Sequence, residues 1–304
     1  MAGAQSQIGY VTGAMRRVSD TLRGRRRLRL LVLLGLPVTF FAVVFLAPLV
    51  VMVWYSFLSD MPPASLTLEN YFRVFSTDLY LSIVWRTAVI TAQTTLIVTV
   101  LGYALAYSIV RFSKRATLLL VLVILPFWTN YIIRMYAWMN ILQTGGVLDT
   151  LLVWTPLVNE PLGLLYSQTA VLIGFTYIWL PLATLPFYAS LTNMDTDLID
   201  AAKDLGAGPL KAFVTVTLPM TMNGIVVGVI LVAIPTFGSF ITPALLGGTD
   251  NVMIGMTIEQ QFIQAFNWPF GAALGVIVSI FVVAVMMFAL LTGTDLFDRR
   301  GDTA

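Results

Sequence analysis

Few side chains in this sequence can do chemistry, and they are unevenly placed. There is no histidine and no cysteine, which excludes imidazole proton relays, thiolate metal sites and Ser/His or Cys/His nucleophile pairs. No catalytic set, metal-ligand set or cofactor is expected. What remains falls into three groups. Trp128, Asn130, Tyr131, Arg134, Tyr136 and Trp138 crowd one otherwise apolar stretch, where aromatic rings can receive an ammonium group by cation–π attraction, worth about 0.5–2 kcal/mol each, or form an interfacial belt. Asp149, Glu160, Asp250 and Glu259 lie between apolar stretches and can attract an amine or contact another protein. Between Met194 and Pro219 the chain reads MDTDLIDAAKDLGAGPLKAFVTVTLP, with acids, glycines and prolines at ordered intervals.

The elements that must position these groups are membrane helices. Hydrophobic residues make up 58% of the chain, charged residues 11%, and the mean hydropathy is +0.88; a soluble domain carries about 25% charge. The runs Leu30–Phe57, Thr87–Val110, Ser167–Leu191, Met222–Leu246 and Pro269–Leu291 contain no charge, and Ala116–Leu142 is broken only by Arg134. Each is long enough to cross a bilayer core, which needs roughly 20 apolar residues of internally hydrogen-bonded helix. Six spans are expected.

The Lys/Arg bias orients them. Arg16, Arg17, Arg23, Arg25, Arg26, Arg27 and Arg29 precede the first span, Arg111, Lys114 and Arg115 follow the second, Lys203 and Lys211 separate the fourth from the fifth, and Arg299 and Arg300 follow the sixth. With these segments on one side, both termini are cytoplasmic. The first apolar run is longer than the 7–15 residues of a cleaved signal core, so it reads as a retained helix behind a basic tail (1–27), which anionic lipid can attract. The spans occupy 28–294, with a cytoplasmic connection at 192–221 and a tail at 295–304.

That connection reads as two short helices. Asp195 or Asp197 can cap the first; Leu198, Ile199, Ala202 and Leu205 recur on one face, opposite Asp200, Lys203 and Asp204. Gly206 supplies a C-terminal stop, and Pro209 suits the first position of a second helix that ends or kinks at Pro219.

Here the residues carry a resemblance. Asp200-Ala201-Ala202, Gly206 and Val216-Thr217-Leu218-Pro219 resemble the EAA signature of ABC importer permeases, departing by Asp for Glu at 200 and Val for Ile at 216. LTLENYFRVF (66–75), LPFWTNYIIRMYAWMNIL (125–142), EPLGLLYS (160–167), FITPALLGGTDNVMIG (240–255) and NWPFGAAL (267–274) resemble permeases of the spermidine/putrescine type, a branch that also carries opines, aminophosphonates and other small amines. The resemblance implies an all-α polytopic membrane protein of the bacterial inner membrane, with six transmembrane helices in a MetI-like type I ABC importer permease core. It implies as partners an ATP-binding cassette ATPase dimer, a second permease subunit and a periplasmic solute-binding protein. Leu198, Ile199, Asp200, Ala201, Ala202, Asp204, Leu205, Gly206 and Pro219 would then form the coupling segment that meets the ATPase.

The expected division of labour agrees with what is missing. No GxxxxGK[ST] phosphate loop occurs, so another chain must hydrolyse ATP, and no nucleic-acid partner is expected. A self-powered carrier, the competing class, would place carboxylates inside the spans, and the six spans hold none. Trp128, Asn130, Tyr131, Tyr136, Pro235 and Phe240 are the candidate lining of a solute path, and Pro126, Pro181, Pro186, Pro235 and Pro243 are expected to interrupt the third, fourth and fifth helices, freeing carbonyls and providing bends. Arg134 is expected to pair with an acid or a carbonyl, since bare burial in lipid is costly. Gly224/Gly228 and Gly271/Gly275 make GxxxG spacings that permit close helix contact.

Overall fold

The computed structural model describes residues 26–59, 65–153 and 162–301. Arg16, Arg17, Arg23, Arg25 and Glu160 lie outside these residues. Among the described residues the architecture is helical, apart from one isolated antiparallel bridge between Leu58 and Leu66.

The chain divides at Tyr55 into two compact units. The first is dominated by α1 (Arg26–Ser56), which carries Pro37 and Pro48 within it. Leu33, Leu34, Leu36 and Val38 point around its circumference and are all exposed. A helix that is apolar on every side is not a water-stable element.

The second unit is built on three mutually packed helices: α3 (Asp78–Phe112), α7 (Gln168–Thr192) and α10 (Met222–Phe237). Val98, Ala183, Phe187 and Val232 are fully buried where they meet. α7 starts where the sequence places it, because the Ser167 hydroxyl accepts the Ala170 N–H at 3.2 Å and so caps the helix. Pro181 and Pro186 lie inside α7 without breaking it, which corrects the expected interruption of the fourth span. α3 begins at Asp78 and not near Thr87, since charges at Asp78 and Arg86 limit an apolar window but not a helix.

Between these long helices lie shorter ones. α2 (Glu69–Ser76) is anchored by the buried Asn70, whose Nδ2 donates to the carbonyls of Ser56 and Leu58. The third apolar run forms α4 (Ala116–Ile124), a 3-10 turn (Leu125–Trp128) and α5 (Tyr131–Leu142), followed by α6 (Val147–Val153). The connection after α7 forms α8 (Asp197–Asp204) and α9 (Pro209–Met220), and α10 is followed by α11 (Ile241–Leu246). α12 (Ile254–Ile263) and α13 (Trp268–Gly301) complete the chain. The first N–H of α12, at Ile254, is satisfied by the buried Thr87 hydroxyl of α3 at 2.9 Å, which joins two elements far apart in sequence.

Among the described residues four helices are long and apolar enough to cross a membrane: Leu33–Ser56, Asp78–Phe112, Gln168–Thr192 and Trp268–Met287. The other two expected spans are bent pairs, α4 with α5–α6 at 92° and α9 with α10 at 67°. The count is six if each pair is one span. Neither Ala116–Leu142 nor Met222–Leu246 is the single helix that its charge-free run suggests: the first stops at Thr129 and the second at Gly238.

Candidate functional site: a loop helix and two broken helices

The connection between α7 and α10 is built by its turn residues. The Asp195 carboxylate accepts the Asp197 N–H at 3.0 Å and starts α8. At the other end Gly206 takes φ +84°, while the Gly206 N–H reaches the Lys203 carbonyl at 2.8 Å and the Ala207 N–H reaches that of Ala202 at 3.0 Å. These paired bonds are a Schellman closure, which satisfies the last carbonyls of the helix and requires a left-handed residue at that point. Pro209 then opens α9. Lys203 Nζ meets Asp200 Oδ1 at 2.7 Å on the exposed side of α8, and this hydrogen bond, with the lysine charge, holds the Asp200 carboxyl below its ordinary value.

The apolar stripe of α8 is graded. Ile199 and Ala202 are half-buried, but Leu198 is exposed and Leu205 is 90% exposed; Leu210, across the turn on α9, is 76% exposed. A single face buried by the chain itself is therefore not what forms. The stripe turns its Ile199 edge inward and leaves its Leu198–Leu205 edge bare. Ala201, Asp204 and Pro219 are exposed as well.

Behind the turn, α9 changes winding: Phe213–Thr217 are π-helical, a local widening frequent at functional sites. Phe213 packs edge-on to Tyr107 of α3, centroids 5.4 Å apart. At Thr221, between α9 and α10, the buried hydroxyl bonds Tyr103 of α3 at 2.7 Å and donates to the Thr217 carbonyl at 2.8 Å. The bend after the loop is thus tied to α3 through Tyr103, Tyr107, Phe213 and Thr221, which no sequence pattern singled out.

The second region lies where two other helix breaks meet. Tyr131, first residue of α5, bonds its hydroxyl to Thr242 Oγ1 of α11 at 2.5 Å and lies 3.5 Å from Ser239 Oγ. Thr242 in turn donates to Met135 Sδ at 3.3 Å. The break at 129–130 and the break at 238–240 are therefore joined side by side. Of the candidate lining residues, Tyr131 and Phe240 belong to this junction; Phe240 and Tyr136 are partly exposed, and Trp128 is 85% exposed. Asn130 has a different duty: its Oδ1 accepts the N–H groups of Ile132 and Ile133 and caps α5. Pro235 sits inside α10, two residues before its end, and not at the break itself.

Arg134 departs from expectation. It is 8% exposed, its Nε and Nη1 have no hydrogen-bond partner, and the guanidinium carbon lies 5.7 Å from the Phe127 ring centre and 6.0 Å from that of Tyr131. Among the described residues neither an acid nor a carbonyl neutralises it. Asp149 departs as well. It is 3% exposed, with Oδ2 accepting the Gly145 N–H and Oδ1 that of Leu162, so it clamps a loop and is not free to meet a solute. Asp250 is exposed and Glu259 half-buried. An apolar groove of about 430 Å³ between α3, α10 and α13, lined by Thr91, Thr95, Phe237 and Phe281 among others, contains none of the candidate path residues.

Comparison with known proteins places this geometry. Residues 98–301 match the family described as binding-protein-dependent transport system inner membrane component. The chain is 36% identical over 236 residues to the spermidine/putrescine transport system permease protein PotB of Haemophilus influenzae, covering 77% of this chain and 82% of that protein. It is 36% identical over 235 residues to PotB of Escherichia coli, covering 77% and 85%. Its fold is similar to a chain of the bacterial alginate ABC transporter in complex with an alginate pentasaccharide-bound periplasmic protein, with a TM-score of 0.73, 15% identity and coverage of 88% and 95%. The all-helical fold, the match over two thirds of the sequence and the relatives of known type agree: the chain belongs to the family of binding-protein-dependent transport system inner membrane components, as a permease subunit of an ABC importer.

Proposed function

We propose that this permease carries a linear polyamine such as spermidine or putrescine inward, along a path bordered by the two joined helix breaks. It crosses the inner membrane six times with both termini in the cytoplasm. The observation that carries the solute assignment is the 36% identity to two spermidine/putrescine permeases across most of both chains. The exposed aromatic faces of Trp128 and Phe240 near the breaks support it, because they offer cation–π contacts to an amine. Reconstituted with its ATPase, second permease and binding protein, the complex should take up labelled spermidine or putrescine when ATP is supplied. Uptake of an opine in preference to either polyamine would reject the solute assignment.

The hydrolytic work belongs to a separate ATPase dimer, on which α8 docks through Leu198 and Leu205. Bound solute is delivered by a periplasmic binding protein, and the second half of the path is supplied by a related permease. Trp128→Leu removes a ring that has no packing duty, so uptake is expected to fall roughly two- to five-fold, as for one exposed cation–π contact. Unchanged uptake at equal membrane abundance would assign Trp128 to the interfacial belt. Replacing all the arginines before Leu30 by glutamine is expected to weaken or invert insertion of the first helix, because short flanking Lys/Arg segments set orientation. Reporter fusions at the amino terminus read this directly, and an unchanged cytoplasmic signal would show that the later basic segments suffice.

A further inference from the structure

The bare charge of Arg134 is unexplained by packing. It is buried, two of its nitrogens lack partners among the described residues, and its neighbours on the broken helix are the rings of Phe127, from the 3-10 turn before the break, and Tyr131, from the helix after it. The hydroxyls nearest the junction, those of Tyr131, Ser239 and Thr242, are neutral. An unpaired cation in low-dielectric surroundings is costly, and intramembrane charges that are kept usually act on ions or substrates. What a bare guanidinium does that a neutral side chain cannot is repel other cations at a distance, the more strongly where water is excluded. Arginines in membrane pores exclude cations in this way.

We propose that Arg134 is an electrostatic barrier that keeps protons and small inorganic cations from leaking through the resting permease. This rests on the reading that the two joined breaks border the solute path. An importer of organic cations needs such a barrier to be removable, and the contacts suit that need. Two ring faces hold the guanidinium without the directional bonds of a carboxylate, so it can swing aside when the limbs of the break change angle. The faces of Phe127 and Tyr131 that it vacates can then receive the amine of the passing solute, so one organic cation takes the place of another.

The test uses the full transporter in proteoliposomes, without ATP or binding protein, and reads potassium and proton leak together with the reversal potential in a potassium chloride gradient. The wild-type residual conductance should favour chloride over potassium. Arg134→Gln should raise the potassium leak about tenfold, the factor that about 1.4 kcal/mol of barrier height represents, and remove the anion preference, whereas Arg134→Lys should stay near wild type. A glutamine variant that binds the ATPase normally yet leaks no more than wild type overturns the proposal. So does a wild-type conductance that prefers potassium, whatever the variants do. The sequence contains no cysteine, so Phe240→Cys introduces a single thiol for a charged thiol reagent. Failure to label it in any state removes the path reading and the barrier with it, while a labelled Phe240→Cys beside an unchanged leak in the glutamine variant removes the barrier alone.

Discussion

Gly206→Val is expected to reduce ATP-driven uptake by at least about tenfold, with the permease still inserted at normal abundance. The residue lies in the connection between α7 and α10, outside every helix long enough to span. Its φ of +84° closes α8, and a Cβ added there would meet nothing within 4 Å. The effect is therefore conformational and not steric: a left-handed backbone costs an ordinary residue roughly 1–2 kcal/mol, and a β-branched one more. Losing the closure lets α8 run on or fray, which displaces Leu205 relative to Leu210 and so the bare edge proposed to meet the ATPase. Since about 1.4 kcal/mol is a factor of ten, uptake should follow the residue's tolerance of that backbone, with Gly206→Asn close to wild type and valine far below it. Leu205→Ser attacks the same contact from the other side. If Leu205 is buried in the complex, its loss should weaken ATPase pull-down by the order of 1.5–3 kcal/mol expected for a leucine removed from water. Full uptake and normal ATPase association in both Gly206→Val and Leu205→Ser would reject the coupling role.

How much of this was legible in the sequence differs by element, for physical reasons. The loop was legible because its stops are chemical. Asp195 offers an acceptor, Gly206 a left-handed turn and Pro209 a fixed φ, and the structure uses all three. α7 was legible because an uncharged run is bounded by a capping serine. The breaks in the third and fifth runs were not, since hydropathy is blind to helix direction: TN at 129–130 and GSF at 238–240 lie in sequence as apolar as the helices they separate. Asn130, a preferred N-cap, was the available sign that a new helix starts there. The clamp made by Asp149 was out of reach because half of it comes from Leu162, 13 residues further along the chain. A carboxylate that accepts N–H groups from Gly145 and Leu162 looks in sequence like any loop acid. The tie between Tyr103 and Thr221 spans 118 residues and has no local signature.

The contact of α7 with α10 yields the second large effect. A Cβ on Gly228 would stand 2.2 Å from Cε1 and 2.6 Å from Cζ of Phe187. The ring has no room to withdraw. It is fully buried, its other edge faces Gly102, where an added Cβ would lie 3.3 Å from Cε2, and the Tyr103 ring packs tilted against it with centroids 5.9 Å apart. One turn earlier, a Cβ on Gly224 would lie 2.6 Å from the Pro186 carbonyl oxygen, a backbone atom that cannot rotate away. The GxxxG spacing therefore serves close approach of two backbones, as in other membrane helices. Overpacking such a site costs about 1–3 kcal/mol for an added methyl or two, so Gly228→Val should lower membrane abundance and thermal stability in detergent more than Gly228→Ala. The cause can be isolated by a second substitution. Phe187→Leu, which empties the space that the new methyl enters, should recover part of the loss in Gly228→Ala, with a coupling of roughly 0.5–3 kcal/mol between contacting sites. Ser190→Ala should not recover Gly224→Ala, because the Pro186 carbonyl remains in the way. A Gly228→Val protein as abundant and as heat-stable as wild type would mean that α7 and α10 do not meet at this distance.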